Sequence, residues 1–324
     1  MKKFFPLIFA TLLIAPLLQA DQDHIVYEGK GKHLVFLTGD EEYRGEEGLP
    51  MMAKILSQRH GFKCTVLFSL NDKGEIDPNN QKSLSNPKAL DNADAIIMLL
   101  RFRTWPDEVY KHFDAACNRG IPIIGLRTST HAFRGKLGGF GKRVLGEGWV
   151  SHWGHHKREA CRGVIEPGAE KDPILKGVTN VFADSDVYEA HPPKDVKILL
   201  RGLVLENMKP DSKPSTRDRK KDRPINDPAM PIAWTRNYKW PSGKTSKIFC
   251  STMGAATDLQ SEGLRRLVVN AIFAGLDMDV PKKANVDYVD PYKPLFYGFN
   301  SFRRGIKPSD HALGKVLPAS QKKK

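Results

Sequence analysis

Arginine, histidine and carboxylate side chains crowd into four short stretches of this 324-residue chain. Thr38-Gly39-Asp40-Glu41-Glu42-Tyr43-Arg44, Arg101-Phe102-Arg103-Thr104-Trp105 and Arg127-Thr128-Ser129-Thr130-His131 each follow an apolar run, and Trp149-Val150-Ser151-His152-Trp153-Gly154-His155-His156 lies downstream. The planar forks of Arg101, Arg103 and Arg127, with Ser129 beside them, suit a carboxylate, sulfate or polyhydroxyl ligand. The same arginines equally suit a structural ion-pair network with Asp40, Glu41 and Glu42, because such networks also cluster charge. Imidazole gains and loses its proton near neutrality, so His131 and His155, with Glu41 as partner, are candidate acid/base groups. Imidazoles three and one apart can also share a divalent, zinc-like metal with a carboxylate such as Asp184 or Asp186, and His152, His155 and Asp184 form the candidate set. That spacing matches no zinc signature. Trp153, in a Trp-Gly-His setting, offers an indole face to the C–H surface of a sugar.

Chemistry at those positions needs elements that bring them together. Apolar runs at 34–37, 62–68, 95–100 and 122–126 have strand length, and helical spacing or helix start and stop signals mark 46–59 and 106–120 between them. Continuous rather than alternating apolar strands, separated by helices, predict a doubly wound α/β domain with a mostly parallel sheet and helices on both faces. In such a sheet ligands bind beyond the carboxyl ends of the strands, where the three arginines and three carboxylates fall. Strand-like runs at 196–205, 231–234 and 247–252 and a helix at 261–275 continue the domain, which spans 33–280 after a lead at 21–32. Residues 207–230 are rich in Pro, Lys and Asp and read as a surface-loop insertion. Residues 281–324 hold Tyr288, Tyr292, Phe296, Tyr297, Phe299 and Phe302, which predict an extended tail packed on the domain and frayed after about Gly314.

The formal charge of +14 invites a polyanion-binding reading, but it is not spread evenly. Residues 1–20 carry +2, 209–223 carry +4 and 282–324 carry +7, which leaves +1 for the body of the domain. Nucleic acid is therefore not an expected partner; a small molecule or oligosaccharide is. The basic loop and tail could still adhere to acidic glycans or anionic lipids in a salt-sensitive way. Lys2-Lys3, the uncharged residues 4–18 and Gln19-Ala20 have the three-part form of a secretory signal, so cleavage near Ala20 and a periplasmic or secreted location are expected. The apolar run is too short for a comfortable membrane span. Cys64, Cys117, Cys161 and Cys250 show no close-spaced pair, and buried free thiols are expected.

The Thr38–Arg44 stretch, Gly125-Leu126-Arg127-Thr128-Ser129-Thr130-His131-Ala132-Phe133, the Trp149–His156 stretch and Phe249-Cys250-Ser251-Thr252-Met253-Gly254-Ala255-Ala256 together resemble the ThuA-like (trehalose-utilisation) family. The resemblance runs over about 33–310 and is nearest to an exported branch from planctomycete-type bacteria. It implies a fold like that of class I glutamine amidotransferases, a flavodoxin-like parallel sheet. Amidotransferase chemistry is not implied, because Arg127 stands where those enzymes carry a nucleophilic Cys and Met253-Gly254-Ala255-Ala256 stands where they carry a late His. A guanidinium is no nucleophile, and Ser129 has no matched base. What the family implies is the use of trehalose-like or keto sugars, with matching motif positions at Asp40, Glu41, Arg127, Ser129, His131, His152 and His155. The expected function is thus acid/base lyase, isomerase or hydrolase chemistry on carbohydrate without a Cys nucleophile. The competing expectation is a non-catalytic sugar-binding or scaffold protein that has lost the ancestral nucleophile.

Overall fold

A computed structural model describes residues 22–220 and 223–319; the expected signal at 1–20 lies outside the described residues. In chain order the elements are β1 (His24–Tyr27), β2 (His33–Gly39), α1 (Gly45–His60), β3 (Lys63–Leu67), β4 (Ala95–Leu100), α2 (Asp107–Asn118), β5 (Ile123–Leu126), β6 (Cys161–Ile165), β7 (Phe182–Ala183), β8 (Lys197–Val204), β9 (Asp218–Lys220), β10 (Arg223–Pro224), β11 (Met230–Lys239), β12 (Thr245–Ser251) and α3 (Glu262–Gly275). Ten strands form one sheet in the order β1-β3-β2-β4-β5-β12-β11-β8-β6-β7.

The five central strands β3, β2, β4, β5 and β12 are parallel to one another. Taken by their own sequence order these five run 2-1-3-4-5: the parallel centre is what the apolar runs predict, and the flavodoxin-like order is what the family resemblance implies. Strand β2 shows why its residues are apolar on both sides. Leu34 and Phe36 enter the core under α1 and α3, whereas Val35 and Leu37 enter the core under α2. The alternation of a strand feeds two covered faces, so no position is left for a polar side chain until Thr38.

Two features go beyond the sequence reading. The lead forms β1, which pairs antiparallel with β3, and Tyr27 donates its hydroxyl proton to the carbonyl of His311 at 2.6 Å. On the far side β11, β8, β6 and β7 add an antiparallel extension to the parallel centre. The 207–230 insertion is anchored rather than merely solvated. It carries the β9–β10 hairpin, Ile225 is fully buried, and Arg217 pairs with Glu159 at 2.7 Å. No helix of the described residues is long and apolar enough to cross a membrane. All four cysteines are buried and free.

The turn after β5 is held by a close backbone approach at Gly141. A Cβ there would lie 1.7 Å from the carbonyl oxygen of Thr130 and 2.8 Å from that of Glu147. Gly148 by contrast has no atom within 3.6 Å of such a Cβ, its nearest being Lys142 Cβ at 3.7 Å. Gly141→Ala should therefore lower unfolding free energy by about 2 kcal/mol or more, as overpacking against backbone does, and Gly148→Ala should change it by less than about 0.5 kcal/mol. Urea denaturation of the two variants checks this; equal effects would contradict it.

Candidate functional site

The carboxyl ends of β2, β4 and β5 meet at one rim. Immediately after β5, Arg127 takes a left-handed backbone conformation with φ of 43°, which costs a non-glycine residue about 1–3 kcal/mol and persists only where surroundings enforce it. The enforcement is visible in its contacts. Arg127 Nη1 donates to the carbonyls of Asp186 (2.6 Å) and Thr252 (2.8 Å), and Nη2 donates to Tyr43 Oη (3.1 Å) and Asp186 Oδ1 (3.0 Å). The guanidinium lies between the rings of Tyr188 and Tyr43, 3.6 and 4.6 Å from their centroids. Both Arg127 and Asp186 have no exposed side-chain surface. Asp186 would rise in pKa through burial, but Arg127 and two imidazoles outweigh that and hold it well below the usual carboxylate range.

Those imidazoles are His152 and His156. The segment around His152 runs antiparallel to residues 186–188: His152 bridges to Tyr188, and the N–H groups of Trp153 and Gly154 both reach the carbonyl of Val187. This brings His152 Nδ1 to 2.7 Å from Asp186 Oδ2 and His156 Nδ1 to 2.9 Å from Oδ1, with the two rings 4.6 Å apart. His156 Nε2 lies 3.0 Å from Glu42 Oε1, so its ring is clamped between two carboxylates. Burial lowers its pKa, yet the bonds to Asp186 and Glu42 prevail and raise it to about 8. Glu42 moves the other way: burial raises it, but the His156 bond and the charges of His156, Arg101 and Arg127 leave it below the ordinary value. His152 keeps its Nε2 free of protein partners among the described residues, and its side chain is 36% exposed.

His131 stands next in the same rim, in contact with Phe102 (5.0 Å), Trp149 (5.1 Å) and Tyr188 (6.4 Å). Burial first, then Arg101, Arg127 and His152, lower its pKa to about 3, so this ring is neutral. Trp149 completes the wall, 4.8 Å from His152 and 39% exposed.

Several expected residues have other work. Ser129 is fully buried and donates to the carbonyl of Met98 at 2.9 Å, tying the turn to β4. Arg103 is fully buried, forms an ion pair with Glu41 (2.7 Å) and donates to the carbonyls of Arg101, Pro78 and Asn80. Glu41 is also met by Gln81 at 2.5 Å and by Arg101 at 3.5 Å, which makes the ion-pair reading right for Glu41 and Arg103. Asp40 accepts from the N–H groups of Glu42 and Tyr43 and from the Thr128 hydroxyl, so it braces the loop. Arg101 alone of the three arginines keeps exposed surface, 20% of its side chain.

Three expectations are corrected by position. His155 is not brought to the rim: its ring is 60% exposed and faces Glu159, because the 155–159 turn is closed by the Glu159 carboxylate on the His155 N–H at 2.7 Å. Asp184 does not meet His152. It accepts from Thr257 Oγ1 at 2.6 Å, and burial followed by the charge of Asp258 raises its pKa. Trp153 is 4% exposed, donates from Nε1 to the carbonyl of Ile225 at 2.8 Å and lies under Arg219 and Arg223. The expected trio of His152, His155 and Asp184 is replaced by His152, His156 and Asp186, one ligand atom of each lying within 4.8 Å of the others. Two imidazoles and a carboxylate are the donor types that a zinc-like divalent ion accepts.

The two inner histidines should titrate with opposite linkage. His156, raised from an ordinary value of about 6.5 to about 8, contributes stability that is full below the lower value and is lost as pH rises through the higher one. His131, lowered to about 3, contributes in the opposite sense: its share is present at neutral pH and is lost as pH falls from the ordinary imidazole range toward the depressed value. In chelator-treated protein, imidazole NMR should give a His156 midpoint near 8 that falls in Glu42→Gln, with His131 neutral throughout that range. A midpoint indifferent to the substitution would contradict the clamp.

Residues 32–273 match the family model described as trehalose utilisation, ThuA. Among solved structures, a ThuA-like protein from Parabacteroides merdae ATCC 43184 superposes with a TM-score of 0.54 at 12% identity, over 84% of this chain and 98% of that one. One from Bacteroides uniformis ATCC 8492 gives 0.47 at 17% identity, over 83% and 94%. No curated protein matches the chain in sequence. The first of these likenesses shows a shared fold, and the family match covers most of the chain: it belongs to the ThuA, or trehalose utilisation, family.

Proposed function

We propose that this protein is an exported, carbohydrate-active enzyme that moves a proton on a trehalose-like or keto sugar, with His152 as the general base. The observation that carries this is the buried carboxylate of Asp186 on His152 Nδ1 at 2.7 Å. An ionised carboxylate there keeps the Nδ1–H tautomer and leaves the Nε2 lone pair facing outward, which is the arrangement a general base needs. His156, clamped as a cation 4.6 Å from that ring, and Arg101 supply positive charge near the place where a negative oxygen would develop when a proton is removed beside a ketone. Neutral His131 and Trp149 give the apolar wall against which a sugar ring can lie. Lyase or isomerase chemistry on an activated sugar needs no nucleophile, in keeping with Arg127 at the turn where an amidotransferase would place its Cys. The export part of the reading rests on Lys2-Lys3 and the apolar run after them.

A second reading is favoured by the His152, His156 and Asp186 ligand set. A divalent ion held there would polarise a sugar carbonyl. His152→Ala should lower turnover of a 3-keto-disaccharide by about 100-fold or more, the usual worth of general base catalysis, whereas His155→Ala should stay within about threefold because its ring lies with Glu159. Loss of activity on chelation, restored by zinc, would favour the metal reading. Full turnover in His152→Ala would overturn both.

A further inference from the structure

The C-terminal tail lies beyond the family-matched residues 32–273, yet it forms part of the rim. The Gly298 N–H donates to the carbonyl of Glu42 at 2.8 Å, and Arg44 Nη2 donates to the carbonyl of Gly298 at 2.7 Å. Tyr297 donates its hydroxyl to the carbonyl of Asp184 at 3.1 Å, while its ring lies 5.1 Å from Tyr43 and 5.6 Å from His156. These bonds fix residues 297 and 298 against the loop that carries the Glu42 clamp. The flanking rings are left outside: Phe296 is 48% and Phe299 53% exposed.

Single exposed apolar side chains are ordinary, but these two belong to a continuous series of ring contacts. Phe296 stacks on Tyr297 at 4.3 Å, Tyr297 reaches His156, and His156 reaches His152. From there the series passes through Trp149, His131 and Phe102 to the Arg101 guanidinium, which lies 4.6 Å from the Phe102 ring and 5.0 Å from that of Phe299. It therefore starts and ends in one four-residue stretch of the tail. Phe102 sits in a left-handed conformation with φ of 52°, so backbone strain is retained at this point of the series. Arg101, 5.0 Å from the Phe299 ring, places hydrogen-bond donors beside an exposed ring, and Lys157 Nζ lies 5.8 Å over the ring of Tyr297, on which Phe296 stacks.

We propose that Phe296 and Phe299, with Arg101, form the subsite for the second sugar ring of a disaccharide, the ring that is not attacked. The proposal rests on the carbohydrate reading of the histidine cluster and adds to it a source of selectivity for two-ring over one-ring substrates. Exposed phenyl faces stack on the C–H surface of a pyranose, and the two cationic side chains reach its hydroxyls. The tail thus sets substrate length while the α/β domain carries the proton chemistry.

Calorimetric binding of trehalose and of glucose to the full chain tests this, with Phe296→Ala/Phe299→Ala and Phe299→Trp as variants. The unsubstituted protein should bind trehalose at least about tenfold more tightly than glucose, from two ring contacts of ordinary strength. The double variant should lose most of that preference with glucose affinity unchanged, and Phe299→Trp should retain it. Because both rings are about half exposed, the melting temperature should stay nearly constant. Unchanged trehalose affinity in the double variant, or equal weakening for both sugars, would overturn the subsite while leaving the histidine site intact. Binding of neither sugar by the unsubstituted protein would overturn the subsite and the carbohydrate reading together.

Discussion

The Arg127–Asp186 pair is the constraint on which the rim depends. Two opposite charges with no exposed surface are tolerable only if each is paired and further hydrogen-bonded, since an uncompensated buried ion costs several kcal/mol. The pair meets that condition by recruiting four separate parts of the chain: the turn after β5, the end of β12 through Thr252, the loop after β2 through Tyr43, and residues 186–188. Having used Arg127 on one side, the carboxylate of Asp186 has its remaining acceptor capacity facing outward, where it takes both imidazoles. Asp186 thereby links the buried scaffold to the exposed chemistry. The left-handed strain at Arg127 is offset by the same contacts.

The electrostatics then separate three histidines that look alike in sequence. One is held cationic between Asp186 and Glu42, one is held neutral in an aromatic wall near two arginines, and one is oriented by a single carboxylate with a free nitrogen. Environments that push similar groups apart in this way are how a fold assigns acid, base and electrostatic roles. Net charge plays little part. The body of the domain is nearly neutral, and two of the loop and tail arginines pair with it, Arg217 with Glu159 and Arg303 with Glu47.

Much of the scaffold is legible from sequence because a two-faced parallel sheet demands uninterrupted apolar strands, and β2, β4 and β5 supply them. The ends of those strands locate the rim, so Glu41, Arg101, Arg127 and His131 are found near it. The choice among neighbouring residues is not legible. His155 and His156 differ by one position, and which ring turns inward is decided by the Glu159 cap on the His155 N–H. Trp149 and Trp153 differ by four, and Trp153 is claimed by the carbonyl of Ile225, 72 residues away. Asp184 and Asp186 share the alternation of an extended segment, but Thr257 takes one and Arg127 the other. The Trp149/Trp153 and Asp184/Asp186 choices depend on long-range partners that local spacing does not encode. In the antiparallel extension β8 and β11 are legible as strand-like runs, whereas the short β6 and β7 escape because they gain their identity only by pairing, β6 with β8 and β7 with β6.

The central claim is that Asp186 fixes the tautomer and orientation of His152. The most direct measurement is the nitrogen-15 spectrum of the histidine side chains in chelator-treated protein near neutral pH, with Asp186→Asn as reference. The His152 ring should be protonated at Nδ1 and bare at Nε2, with that pattern lost in the variant. A His152 protonated at Nε2, or a pattern that survives the substitution, would contradict it.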